Sequence, residues 1–346
     1  MNRFVSILGL LALAACSSKD GEDTAGLTDG DADGVPGETC DVEGVAVAYP
    51  SSDGATDFYY RGAVEFTFDG IDDEATITVS DAGGNTLDGG TSWVGNNLVF
   101  QPSTPLAAQS DYSATLSHCA GDSTVSFRTS DIGSDLEGSA SDLVGNTYVI
   151  AFEGARFVKP AGVGSLLLGM LEQDILLGVV SVSDTEIEMS GALSETDSSA
   201  QDLCEPSIDF PDAADFTSAP FFSIGPQDTT LSAGGFDVSI NQLQIAGDFT
   251  ADGSQIGGAI LSGEIDARDL VGALVGGGLL EEEDPDAVCD LIGTFGVACE
   301  ACASDGATYC LAIYVDQITA DRDEQTLVVQ DACDPEACTE GCEDTE

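Results

Sequence analysis

Between residues 64 and 127 the chain repeatedly switches between apolar and polar side chains, one residue at a time. Val64-Glu65-Phe66-Thr67-Phe68, Ala75-Thr76-Ile77-Thr78-Val79 and Tyr112-Ser113-Ala114-Thr115-Leu116 alternate without a break, and Val125-Ser126-Phe127 closes the set. In an extended chain successive side chains leave opposite faces, so each run acquires one dry face and one wet face. Turn residues separate the runs, among them Asp81-Ala82-Gly83-Gly84-Asn85 and Asp88-Gly89-Gly90. About 90 residues holding about seven such strands predict an antiparallel β-sandwich over residues 40–131.

Within that stretch Leu98-Val99-Phe100-Gln101-Pro102 leads to Pro105-Leu106, then to the Tyr112 run, then to Phe127-Arg128-Thr129. The order of a strand ending in Phe-x-Pro, a Pro-Leu turn and a Tyr-containing strand resembles the bacterial Ig-like domains of S-layer and other surface proteins. The resemblance covers roughly residues 44–130. It implies a sandwich used as a spacer or binding platform.

Residues 132–141 are a small-residue linker, and residues 142–332 form a second domain. Thr147-Tyr148-Val149-Ile150-Ala151-Phe152 opens it as a strand. Residues 164–180 are strongly apolar but interrupted by Glu172, Gln173 and Asp174, which suggests a buried helix running into a strand. Residues 185–190 alternate as a strand, and residues 197–223 read mostly as loop. A hairpin is expected from residues 236–250 and 255–265 about the turn dipeptide Asp252-Gly253. Residues 269–283 carry a helical pattern that Gly276, Gly277 and Gly278 weaken. Residues 287–295 read as a short helix, and 309–315 and 327–329 as final strands. The expected fold class is mainly β: an Ig-like sandwich, then a disulfide-rich β or α+β domain with a few short helices, then a Cys-rich acidic tail over residues 333–346.

The N-terminus carries a basic Arg3, an apolar run over residues 4–13 and then Leu13-Ala14-Ala15-Cys16. About 20 apolar residues are needed to cross a bilayer, and this run is shorter. A charged start, a short apolar core and small residues at a cut site mark a secretory signal peptide, here residues 1–15. Leu-Ala-Ala-Cys resembles the lipobox of bacterial lipoproteins. That resemblance implies that Cys16 becomes the lipidated N-terminus, and Ser17 and Ser18 resemble the outer-membrane-sorted class. The protein is therefore expected on the outer membrane, at its periplasmic or its cell-surface face. Residues 16–39 are rich in Gly, Asp and Ser and read as a flexible acidic tether with a reach of ~25–30 Å as a coil.

An oxidising compartment gives the cysteines their meaning. Eleven are present. Setting Cys16 aside leaves an even set expected to form disulfides. Cys40 and Cys119 bracket the first domain and are expected to pair, on count alone. Cys204, Cys289, Cys299, Cys302, Cys310, Cys333, Cys338 and Cys342 remain, and eight cysteines allow 105 connectivities. Cys299-Glu300-Ala301-Cys302 is a CxxC, also a pattern of redox and zinc sites, with Cys289 and Cys310 near enough to complete four ligands.

Eight basic residues face 63 acidic ones, for a net charge of −55. Such a field repels nucleic acid and anionic headgroups and tolerates divalent cations. Asp29, Asp31 and Asp33 stand as in the opening of a calcium loop, but Cys40 occupies the place of the closing bidentate Glu, so only weak calcium binding is expected and no other cofactor. The single histidine, His118, leaves little material for a Ser-His-Asp or Cys-His site. The reading that follows is a non-enzymatic lipoprotein. Its membrane partner is reached through lipid, and its other partner is an envelope or extracellular protein or polysaccharide. The alternative is a carrier whose apolar residues 166–177 and 270–280 line a cavity for lipid or a small apolar ligand.

Overall fold

A computed structural model describes residues 40, 42, 44–70, 72–160, 162, 173–196, 198–210, 212–233, 236–330, 333 and 338. The alternating runs become strands. They are β1 (Val45–Tyr49), β2 (Ala55–Phe58), β3 (Val64–Phe68), β4 (Thr76–Asp81), β5 (Gly89–Val94), β6 (Asn97–Pro102), β7 (Asp111–His118) and β8 (Gly121–Thr129). Two four-stranded sheets result, in the orders β1-β3-β6-β5 and β2-β8-β7-β4. Their inward residues form one core: Val64, Phe66 and Phe68 from β3, Leu98 and Phe100 from β6, and Ile77, Val79, Ala114, Leu116, Val125 and Phe127 from the opposite sheet. Period two therefore survives as a two-sheet sandwich. The pairing is antiparallel throughout except between β2 and β8, which run parallel.

The second body continues with β9 (Thr147–Ala151), β10 (Arg156–Lys159), β11 (Ile175–Val182), β12 (Glu186–Leu193), β13 (Ile208–Asp209), β14 (Ala214–Asp215), β15 (Phe221–Ala233), β16 (Phe236–Phe249) and β17 (Gln255–Asp266). Helices α1 (Leu270–Gly276) and α2 (Pro285–Gly293) follow, then β18 (Glu300–Ala301) and β19 (Thr308–Asp323). All eleven strands belong to one sheet, along the path β13-β12-β11-β9-β19-β17-β16-β15. Register shifts recur in β15, β16, β17 and β19. Bulges of this kind bend a strand and increase its twist. The sheet curls until β14 meets β15, where Phe216, Phe222 and Phe249 pack ring against ring, the Phe216 and Phe222 centroids lying 6.1 and 5.0 Å from that of Phe249. The inner faces of this curled sheet and both helices share one core.

Several expectations change. The apolar segment 164–180 enters strand β11 at Ile175, while residues 163–172 lie outside the described residues. The loop expected over 197–223 holds β13 and β14, and its last residues begin β15, which Pro220 just before it and Pro226 within it hid. The helical stretch after residue 269 ends at Gly276, as its glycines suggested. Residues 327–329 are not a strand. They run beside residues 201–207 and are held by side chains: Gln201 accepts from Val328 N at 2.7 Å and donates to Val328 O at 2.8 Å, and Gln330 N donates to Ser207 Oγ. A glutamine amide reproduces the donor and acceptor of a strand, so the segment looks like a strand in sequence while its ladder is built from side chains. No helix among the described residues is long and apolar enough to cross a membrane.

Candidate functional site

The groups with the most unusual surroundings lie where the sandwich meets the curled sheet. The loop after β2 presents Tyr59, Tyr60 and Arg61 to the outer surface of β15, β16 and β17. Asp248, on β16, is fully buried there. Tyr59 Oη donates to its Oδ2 at 2.6 Å and Tyr60 Oη to its Oδ1 at 2.7 Å. Arg61 Nε donates to Tyr60 Oη at 2.7 Å, and its guanidinium carbon stands 3.7 Å from the centre of the Phe221 ring. Glycine makes the socket. A Cβ on Gly258, which has φ +58°, would lie 2.2 Å from the Tyr59 ring, and one on Gly257 would lie 2.2 Å from Ile132.

Burial raises the Asp248 carboxyl above the usual carboxylate range, against the lowering effect of the two tyrosine hydrogen bonds. Burial and then the Asp248 charge push both phenols above their ordinary value, so each stays a donor at neutral pH. A catalytic carboxylate must reach a substrate. This one is enclosed by its own partners.

A second tie lies beside the first. Arg156, on β10, grips Glu65 of the sandwich with Nη1 and Nη2 at 2.9 and 2.8 Å, and Asp316 of β19 with Nε and Nη2 at 2.9 and 2.6 Å. Two forks of this kind on one guanidinium fix both distance and angle. The two carboxylates, led by Asp316, raise the Arg156 pKa further above an already high value. The Tyr49 hydroxyl accepts from Tyr59 N at 2.9 Å and completes the layer.

The cysteines settle into pairs. Cys40–Cys119 forms as expected, and Cys204–Cys338, Cys289–Cys299 and Cys302–Cys310 account for eight cysteines in all. Cys333 is disulfide-bonded too. The CxxC residues Cys299 and Cys302 thus pair away from each other, and the four-thiol zinc set is used up by disulfides. Each group of potential metal ligands among the described residues contains a disulfide-bonded cysteine, as in Asp72 with His118 and Cys119. His118 stands edge-on to Phe68 and accepts from Ala120 N at 3.4 Å. Cys16, Asp29, Asp31, Asp33 and Cys342 lie outside the described residues.

Two spaces remain. Inside the curled sheet Leu177, Phe210, Ile240, Leu243, Ile245 and Leu261 line about 20 Å³, room for one water. An open polar cleft of about 300 Å³ lies where the linker meets the β16–β17 turn, lined by Ser139, Asp142, Asn146, Asp252 and Arg322. Two of its carboxylates are already engaged. Asp142 caps the turn at Ser139, and Asp252 accepts from Ser254 and Thr250, which holds its pKa at about 2.

Sequence reading missed the junction. The signals were faint: a rare arginine at 156, a Tyr-Tyr-Arg triplet between strands, and a carboxylate at 248 between Gly247 and Phe249. None of them announces its partner. No protein-family model matches this chain, and no curated protein matches it.

Proposed function

We propose that this protein is a non-enzymatic lipoprotein anchored to the outer membrane through Cys16, which holds its β bodies toward an envelope or extracellular partner. The observation that carries the reading is where the perturbed groups lie. Asp248, Tyr59, Tyr60 and Arg156 tie two β bodies together, and each is saturated by its own neighbours. Enzymes concentrate such groups in clefts open to substrate. The resemblances to a lipobox and to Ig-like surface modules support the same reading, as does the Cys40–Cys119 bond, which suits an oxidising compartment.

The carrier alternative has weaker support. Small-ligand sites hold ~300–1,000 Å³ and are mostly apolar. Among the described residues, the apolar space inside the curled sheet is about 20 Å³ and the cleft at residues 136–146 is open and polar, while residues 163–172 of the expected lining lie outside them.

Metabolic labelling with a tagged fatty acid tests the anchor. The native chain takes up label and sediments with outer membrane, whereas Cys16→Ser takes up none and is released. Equal labelling of both chains would defeat the proposal. Protease added to intact cells then separates a surface position, where the protein is cut, from a periplasmic one, where it survives.

A further inference from the structure

In a sheet, an unpaired edge is a template for another strand, and proteins protect edges with charge, proline, bulges or very short strands. Most edges here carry such protection. β1 has a register shift between Val47 and Tyr49, and β2 has only four residues. The returning segment covers part of β4, through Leu87 N to Val79 O at 2.8 Å. β13 and β14 have two residues each, and β15 contains Pro226, Asp228 and two register shifts. β5 is different. Its six residues, Gly89-Gly90-Thr91-Ser92-Trp93-Val94, contain no charge and no proline, and its register with β6 is unbroken. In a chain with 63 acids, no charged residue occurs between Asp88 and Asp111.

We propose that the outer edge of β5 pairs with β5 of a second copy of this chain. Two copies related by a two-fold axis can join edge to edge only as antiparallel strands. The turn at Gly95-Asn96 makes Val94 and Asn97 a bonded pair, so Thr91 and Trp93 direct their N–H and C=O groups to the open edge. A dyad at Thr91 then sets Thr91 against Thr91 and Trp93 against Gly89 of the second copy. That pairing sets each Trp93, half-buried against Phe68 at a centroid distance of 5.0 Å, opposite a glycine whose core side is already covered by its own Phe100 ring, so the two strands meet through their backbone groups. It also sets Asp88 opposite Val94, so that no carboxylate meets another.

Charge decides the choice of occupant. Elsewhere two surfaces of net charge −55 would bring acids together, whereas here they meet on a neutral strip. On the outward side of the same sheet, Thr67, Ser92, Val94, Asn97, Val99 and Gln101 are uncharged, and the one acid in β3, Glu65, is neutralised by Arg156. The remaining long-range repulsion is screened by salt, so association strengthens as salt rises.

Sedimentation velocity on the full Cys16→Ser chain, exported through an oxidising compartment, tests this without any lipid. A dimer is expected in about 1 M NaCl, where charges are screened beyond ~3 Å, and a monomer in about 0.01 M, where screening extends to ~30 Å. Thr91→Asp sets two carboxylates together at the dyad and weakens the dimer by about tenfold or more. Thr76→Asp, on exposed β4, leaves it unchanged. Circular dichroism and thermal melting confirm that both variants stay folded. A chain that remains monomeric in high salt, or a Thr91→Asp variant that dimerises as well as its parent, overturns the proposal, including where β5 later receives a strand from another protein. The outcome does not depend on the anchor at Cys16.

Discussion

Over residues 75–130 the sandwich carries four acids and one arginine, and over residues 281–330 the second body carries twelve acids and one arginine. Both are β, yet they are held differently. The sandwich relies on a complete alternation, a core of aromatic and branched residues and one disulfide. The second body adds at least three disulfides and a set of side-chain straps that fasten residues 325–330. The physical reason is self-repulsion. Like charge on a compact surface favours expansion, so the acid-rich stretch over residues 281–330 needs connections that do not depend on surface contacts. The acid-rich stretch is fastened from within by disulfides and side-chain straps, whereas the uncharged strands β5 and β6 rest on their ladder and core.

Breaking the staples should test that contrast most strongly. Cys204–Cys338 spans 134 residues and Cys40–Cys119 spans 79. The chain-entropy account gives about 5 and about 4.5 kcal/mol respectively. Cys302–Cys310, which spans 8 residues, comes to about 2.6 kcal/mol. Paired Cys→Ser variants compared by urea melts should keep that order. A short bond as costly to lose as the long ones would show that local geometry, not loop closure, sets their worth.

Next in size is Arg156→Ala. It leaves Glu65 and Asp316 facing each other across the junction, both largely shielded from water, and is expected to cost about 3–4 kcal/mol. The accompanying sign is faster proteolysis in the linker over residues 132–141. If the melt stays single and the linker stays resistant, the Tyr59–Tyr60–Asp248 contact holds the two bodies together without help.

Asp248→Asn gives a smaller effect with a definite pH sense. The folded pKa of Asp248 is raised, so the native state binds its proton more tightly than the unfolded chain does. The associated stability is fully present below the unfolded value near 3.8 and is lost as pH rises through the folded value. Asparagine carries no charge to bury and does not titrate. The stability of Asp248→Asn minus that of the parent should therefore be highest at neutral pH and fall on acidification toward pH 4. A flat difference would mean that the tyrosine hydrogen bonds cancel the burial of the charge.

Salt should sharpen the charge comparison. Raising NaCl from about 0.01 to about 1 M shortens the screening length from ~30 to ~3 Å. Hydrogen exchange is expected to slow more in the acidic second body than in the neutral sandwich strands, apart from the β5 edge. The smallest effect concerns the tether. Weak extracellular calcium sites have Kd values of ~0.1–1 mM. Calorimetry should show binding in that range, lost when Asp29, Asp31 and Asp33 are changed together to Asn.

The legibility of the sequence follows the same division. The β3, β4, β7 and β8 alternations could be read because each strand has a dry side and a wet side. The β16–β17 hairpin could be read because Asp252-Gly253 is a turn. β15 could not, since Pro226 and Asp228 interrupt its pattern and its partner supplies its hydrogen bonds. The segment 327–329 looked like a strand because its apolar residues fit one, and only Gln201 and Ser207, more than a hundred residues earlier, show what occupies its ladder.

By itself the sequence determined the mainly β class, the sandwich strands, the acidic surface and the Cys40–Cys119 pair, because these depend on local periodicity, composition or count. The tertiary structure decided the rest: which of the remaining cysteines meet, that Asp248 is buried under two tyrosines, and that one arginine joins Glu65 to Asp316. The tyrosine, carboxylate and arginine partners lie 91 to 189 residues apart in the chain. A hydrogen bond depends on distance in space, and no local pattern records which distant group the fold brings near.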